Sequence, residues 1–160
     1  MTPRELVRKL KKIRPKTAKD MRRAGFHLRY LNEGCFRQVY KIVGTSAVIK
    51  FPNLTSVNLE STKEHIKQES RGFQKIRKQK RGLSLRPYLP VIYYKDLEAG
   101  VTAMKYYQSY RRSDPKERAK LTDFLMTFFH YESEDRHDYG YGNFGMTPEG
   151  RVKILDLGMC

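Results

Sequence analysis

Three polar side chains near the end of the chain have types and spacing that could do chemistry. Asp138 and Asn143 stand five residues apart in His137-Asp138-Tyr139-Gly140-Tyr141-Gly142-Asn143, and Asp156 follows thirteen residues later in Asp156-Leu157-Gly158. The first two lie in a glycine-rich loop. The third sits where the apolar run Val152-Lys153-Ile154-Leu155 stops. A carboxylate and an amide oxygen held near each other by a hairpin suit Mg²⁺, which prefers oxygen ligands and accompanies phosphates. Upstream, Lys50 closes the strand-like run Ala47-Val48-Ile49. An ammonium there is costly to bury unless an anion compensates it. Glu69 comes nineteen residues later, in a helical pattern. Gly34 falls in the turn of Leu31-Asn32-Glu33-Gly34-Cys35-Phe36, where backbone can approach a ligand closely. Taken singly, Gly34 reads as an ordinary hairpin glycine and Glu69 as a solvated helix charge.

These residues need elements to position them. "FHLRYLNEG", "CFRQVYKIVG" and "SAVIKFP" are rich in β-branched and aromatic residues and are separated by glycine or polar turns, so they predict three antiparallel strands. Residues 59–80 predict a long helix with Ile66, Phe73 and Ile76 on one side. "VIYY" and "VTAMKYY" predict two more strands around a Glu98-Ala99-Gly100 turn. Asp114-Pro115 opens a second long helix whose Leu121, Phe124, Leu125, Phe128 and Phe129 face a core. "NFGMTPEGRVKILDL" predicts a hairpin about Pro148-Glu149-Gly150. The order β β β α β β α, then a loop and a hairpin, is α+β with a five-strand antiparallel sheet.

Residues 1–26 form a basic helical arm. Thr2-Pro3-Arg4-Glu5 has the form of a capping box with proline at the first helical position, and Leu6, Leu10 and Ile13 follow at helical spacing until Pro15. This helix reads either as docked, with a solvated polar face, or as an arm that contacts phosphates. The chain carries 160 residues and a net charge of +16, which favours anionic partners: nucleic acid, nucleotide, acidic protein or a membrane surface. Two cysteines, Cys35 and Cys160, make no disulfide framework. No apolar run reaches membrane-spanning length, and the charged N-terminus lacks a secretory h-region, so a cytoplasmic location is expected.

The ordered set of pieces resembles the protein-kinase-like superfamily across residues 27–158. "LNEGCFRQVYK" is similar to its glycine-rich loop, "AVIK" to its lysine strand, "RHDYGYGN" to its catalytic loop, and "DLG" to its metal-binding triplet. The resemblance implies an N-lobe of five antiparallel strands plus an αC-type helix. A minimal C-lobe remnant would follow: one long helix, the catalytic loop and the hairpin. It divides the chain into the arm, 1–26, and a minimal kinase-like domain, 27–160. It also implies ATP and Mg²⁺ as cofactors. Lys50 would hold the α- and β-phosphates, Glu69 would orient Lys50 through an ion pair, and Asp138 would position the acceptor hydroxyl and take its proton. Asn143 and Asp156 would bind the metal. Gly34 would cover the phosphates, and Met104 and Tyr106 would lie in the hinge beside the adenine.

The pattern also departs from the family. Asn32 and Arg37 stand at the first and third glycine positions of the loop, and Arg136-His137-Asp138 reorders the usual His-Arg-Asp. Gly140 replaces a lysine common in Ser/Thr kinases, and the sequence stops two residues after Gly158. A natural minimal form and a piece of a longer chain both fit that ending. Three functions stay open. One is an ATP- and Mg²⁺-dependent phosphotransferase, Ser/Thr kinase-like and able to modify itself, or acting on another protein or a small molecule. The second is a pseudokinase that binds nucleotide as a regulatory module. The third is nucleic-acid or acidic-protein binding through the basic arm, alone or beside either of the others.

Overall fold

The computed structural model describes residues 1–78, 86–109, 115–116, 144–149 and 151–156. They belong to two compact units. One comprises Met1–Gln68 with Pro90–Tyr106, the other Glu69–Leu89 with Tyr107–Met159.

The first unit opens with α1 (Pro3–Ile13) and α2 (Ala18–Arg23). Both begin with a complete capping box, Thr2 with Glu5 and Thr17 with Asp20. Such boxes satisfy N–H groups that a helix start otherwise leaves unpaired, each worth about 1 kcal/mol. α2 has no counterpart among the sequence-predicted elements. Five strands follow: β1 (Leu28–Glu33), β2 (Arg37–Ile42), β3 (Ala47–Pro52), β4 (Ile92–Asp96) and β5 (Val101–Lys105). They form one antiparallel sheet in the order β1-β2-β3-β5-β4. The fold class is α+β, with the five-strand antiparallel sheet expected from the sequence.

Alternation along the strands gives the sheet two unlike faces. Ile42, Ala47, Ile49, Phe51, Val101, Ala103 and Tyr94 lie on one face and form a single core with Leu6 and Leu10 of α1, Met21 of α2, and Phe26. The N-terminal helices therefore pack on the sheet. Leu6 and Leu10 are fully buried, each worth about 1.5–3 kcal/mol. The β4–β5 turn reaches a positive φ at Gly100, where an added Cβ would meet Pro52 Cγ at 2.9 Å. Only glycine fits there without strain.

α3 (Leu59–Lys78) stands where the helix over 59–80 is expected, its last two predicted positions lying outside the described residues. Thr62, His65, Ile66, Glu69, Phe73 and Ile76 are buried, at spacings of three and four that make one helical face. In the second unit, Arg86 Nε and Nη2 donate to the carbonyl of Arg77 in the last turn of α3, at 2.9 and 2.6 Å. A guanidinium at a helix C-terminus satisfies carbonyls that the helix leaves open. The unit also holds a second sheet, β6 (Gln108–Ser109), β7 (Phe144–Met146) and β8 (Val152–Ile154), in that order and antiparallel. β7 and β8 are the expected hairpin. Apart from Pro115 and Lys116, the expected helix opening at Asp114-Pro115 lies outside the described residues.

Candidate functional site

Lys50 sits on β3, the central strand, on the sheet face opposite the N-terminal helices. It pairs with Val39 of β2 on one side and Thr102 of β5 on the other. One step along the strands, Val48 lies between Lys41 and Met104. Directly opposed residues of an antiparallel sheet share a face. Val39, Val48 and Met104 thus make an apolar area beside the Lys50 ammonium. Lys50 is only 6% exposed. The Thr102 side chain is buried with them, and its Oγ1 has no hydrogen-bond partner among the described residues. A hydroxyl at such a place can both donate to and accept from a ligand. An apolar area, a cation and a hydroxyl fit a ligand with a flat apolar ring and an anionic tail, the chemistry of ATP.

Gly34 is exposed in the turn between β1 and β2. Its N–H donates to the Arg37 carbonyl at 2.9 Å, and its own carbonyl accepts from Asn53 Nδ2 at 3.1 Å. Asn53, buried just past β3, also donates its backbone N–H to the Phe36 carbonyl at 2.8 Å. Its Oδ1 accepts from Thr55 Oγ1 at 2.6 Å. The sequence reading does not single out Asn53, yet this side chain fastens the glycine turn to the sheet. The polar break "PN" straight after an apolar strand is the signal that marks it. Phe36, in the same turn, stacks on His65 of α3, ring centroids 4.4 Å apart.

Met104 is buried near the end of β5. The Tyr106 N–H already donates to the Ser46 carbonyl at 2.8 Å, and its ring lies under the Lys41 ammonium, 4.2 Å from Nζ to centroid. Burial holds the Lys41 ammonium below the ordinary lysine range, and the charge of Arg29 lowers it further. Lys41 is a second residue that the sequence reading misses. Its signal is the period-2 step from Val39.

In the second unit, Glu69 on α3 is 2% exposed, so it is not the solvated helix charge that its sequence context alone favours. Asp156 is half-buried, two residues past β8. The hairpin that leads to it is clasped to the preceding segment, because Lys153 Nζ donates to the carbonyls of Pro87 and Leu89. Gly145 of β7 admits the neighbouring segment closely: a Cβ there would lie 2.7 Å from Tyr107 Cβ and 3.2 Å from the Gln108 carbonyl of β6. Asp138 and Asn143 lie outside the described residues. Among the described residues, no three His, Cys, Asp or Glu side chains gather where they could hold a metal. The Asp156 carboxylate is oxygen chemistry of the kind Mg²⁺ takes, since that ion commonly binds one or two protein carboxylates and completes its shell elsewhere. No helix among the described residues is long and apolar enough to cross a membrane.

No family model matches the chain. No curated protein matches it either. Among solved structures it is similar to the streptomycin–ATP–APH(2")-IIa ternary complex, at 22% identity and a TM-score of 0.37. The match covers 64% of this chain and 33% of that one, so the chain spans about a third of that structure's length.

Proposed function

We propose that the chain is a kinase-like phosphotransferase that uses ATP and Mg²⁺. It would pass the γ-phosphoryl group to a hydroxyl, with Ser or Thr of a protein, itself included, as the acceptor class. The observation that carries this reading is the buried Lys50, opposed by the Thr102 hydroxyl and adjoined by Val39, Val48 and Met104 on one face of the sheet. Lys50 holds the α- and β-phosphates in this reading, and Glu69 orients Lys50. The turn around Gly34 covers the phosphates, while Met104 and Tyr106 lie beside the base. Asp138 positions the acceptor hydroxyl and takes its proton. Asn143 and Asp156 hold Mg²⁺, which when bound neutralises charge on the phosphates.

A second reading is a nucleotide-binding pseudokinase that acts as a regulatory module. Arg37, at the third glycine position of the loop, supports it: the residue is buried at the start of β2 and makes the loop bulkier there. Incubation of the pure chain with γ-labelled ATP and Mg²⁺, with and without a generic protein acceptor, separates the two. Label mapped to Ser or Thr supports the phosphotransferase. Nucleotide binding without label supports the regulatory module. No nucleotide binding up to millimolar concentration defeats both.

A further inference from the structure

Residues 1–26 hold ten Lys and Arg against two carboxylates, so half of the net charge of +16 is concentrated there. Both carboxylates are turned onto helix starts. Glu5 Oε2 accepts the Thr2 N–H at 2.8 Å, and Asp20 Oδ2 accepts the N–H groups of Lys16 and Thr17 at 3.0 and 2.9 Å. The cations point elsewhere. Arg4, Arg8 and Lys12 recur every fourth residue on the side of α1 away from Leu6 and Leu10, and all three are exposed. Like charges at that spacing repel and weaken an isolated helix. α2 adds exposed Arg22 and Arg23. Arg22 lies over the ring of Tyr40, 5.9 Å from its centroid, and Tyr40 meets Tyr30 edge-on at 5.5 Å. Tyr30, on the edge strand β1, is 49% exposed.

We propose that the exposed basic sides of α1 and α2, with Tyr30 beside α2, bind single-stranded nucleic acid. A run of cations in excess over carboxylates tracks a phosphate backbone, and guanidinium forks match phosphate oxygens. Tyr30, exposed beside Tyr40 and near Arg22, is the second half of single-strand binding, because an unpaired base can stack on it. A membrane surface fits less well. Interfacial helices insert an apolar side, and the apolar side of α1 is used in the core. Of the exposed large hydrophobic residues described, only Met1 and Tyr30 belong to this region.

Fluorescence anisotropy of labelled oligothymidylate with the full chain, over a range of salt, tests this. The wild type should bind with a steep salt slope. Combined Arg4→Gln, Arg8→Gln and Lys12→Gln should lower the log–log slope by about 2, at about 0.7 per lost phosphate contact. Combined Lys67→Gln, Arg77→Gln and Lys78→Gln on α3 removes the same charge and should change affinity by less than about twofold if contacts rather than overall charge decide it. Tyr30→Ala should weaken oligothymidylate about tenfold with the slope unchanged. Thermal melting of each variant shows that it is folded, as expected for exposed positions. The proposal is overturned by any of four results: no binding at low salt, equal losses from both triple variants, poly-glutamate binding as tightly as oligothymidylate, or binding to phosphatidylserine vesicles without binding to the oligomer. An unaffected Tyr30→Ala would overturn the single-strand assignment.

Discussion

Arg14 and Asp96, 82 residues apart, are joined by two hydrogen bonds: Arg14 Nε and Nη2 donate to Asp96 Oδ2 at 3.3 and 3.2 Å. Arg14 does this from a left-handed backbone, φ 43° and ψ 61°, as the C-cap of α1. The same Oδ2 accepts from the Tyr94 hydroxyl at 3.2 Å, and Oδ1 accepts the Ala99 N–H at 3.1 Å. One buried carboxylate thus ties the end of α1 to the β4–β5 turn. Burial pushes the Asp96 pKa up. The Ala99 N–H, the Arg14 guanidinium and the Tyr94 hydroxyl outweigh burial and hold it below the ordinary 3.8. A depressed carboxylate contributes stability that is fully present above its unfolded pKa and is lost as pH falls through the folded one. Asp96→Ala should therefore cost about 1–3 kcal/mol at neutral pH, from the acceptors it removes. Arg14 is 64% exposed, so solvent screens its share. Urea denaturation should show the gap between wild type and variant narrowing as pH drops below 3.8. A gap of constant size down to pH 2 would remove the carboxylate's charge from the account.

Leu10 is completely buried, in the core that Leu6 and Leu10 share with Ile49, Val101 and Ala103 of the sheet. Leu10→Ala should destabilise the chain by about 2–5 kcal/mol, through lost burial and the cavity left behind. Deleting residues 1–25 removes Leu6, Leu10 and Met21 together and bares one face of the sheet. The truncated chain should be insoluble or unfolded by gel filtration and thermal melting. A soluble truncated chain with a cooperative melt near that of the wild type would mean the sheet does not need its helices.

Asn53 holds the Gly34 carbonyl at 3.1 Å and the Ser56 hydroxyl at 3.2 Å. Asn53→Ala frees the glycine turn on one side while leaving Lys50 and the apolar face in place. If that turn covers phosphates, the variant should bind ATP about tenfold more weakly, since of the three side-chain hydrogen bonds it removes the one to Gly34 holds the turn. Adenosine, which has no phosphates, should bind nearly as it does to the wild type. Calorimetric titration of both ligands measures the contrast. Equal losses for ATP and adenosine would place the effect on the fold rather than on the turn.

Local chemistry made much of this readable. Thr2-Pro3-Arg4-Glu5 marks the start of α1, and both halves of its capping box form. The strands of the main sheet are short runs rich in β-branched and aromatic residues bounded by glycine or polar turns, and the strand register puts Lys50 on one face with Val39 and Val48. α2 escapes notice because six residues with one fully buried side chain, Met21, are too short for a helical period. Its Thr17 and Asp20 box is the available clue. β6 has two residues, and its partner β7 is more than thirty positions away, so nothing local marks it. The hold of Asn53 on Gly34 spans nineteen residues and exists only once β3 has folded against β2. Glu69 is the instructive reversal. A lone charge in a lysine-rich helix looks solvated, but its spacing from Thr62, Ile66, Phe73 and Ile76 already puts it on the buried stripe. Asp138 and Asn143 lie outside the described residues, so their part of the site rests on the resemblance alone.

Comparing Asp138→Asn with Asp156→Asn separates an enzyme from a binding module. Asp138 is proposed to position the acceptor and take its proton, and it is not among the proposed metal ligands. Asparagine keeps its size and removes its charge and basicity. Nucleotide binding should survive Asp138→Asn, while phosphoryl transfer falls by about 10²-fold or more. Asp156 follows β8 as a proposed Mg²⁺ ligand, so Asp156→Asn should weaken Mg²⁺-dependent nucleotide binding as well as transfer. Saturating Mg²⁺ keeps a change in metal affinity from passing as a change in chemistry. Calorimetry reads binding, and label transfer from γ-labelled ATP reads chemistry. Undiminished transfer by Asp138→Asn would remove that residue from the chemical step. A wild type that binds ATP and labels neither itself nor an added acceptor, with both variants equally silent, would leave the regulatory module as the function of this nucleotide site.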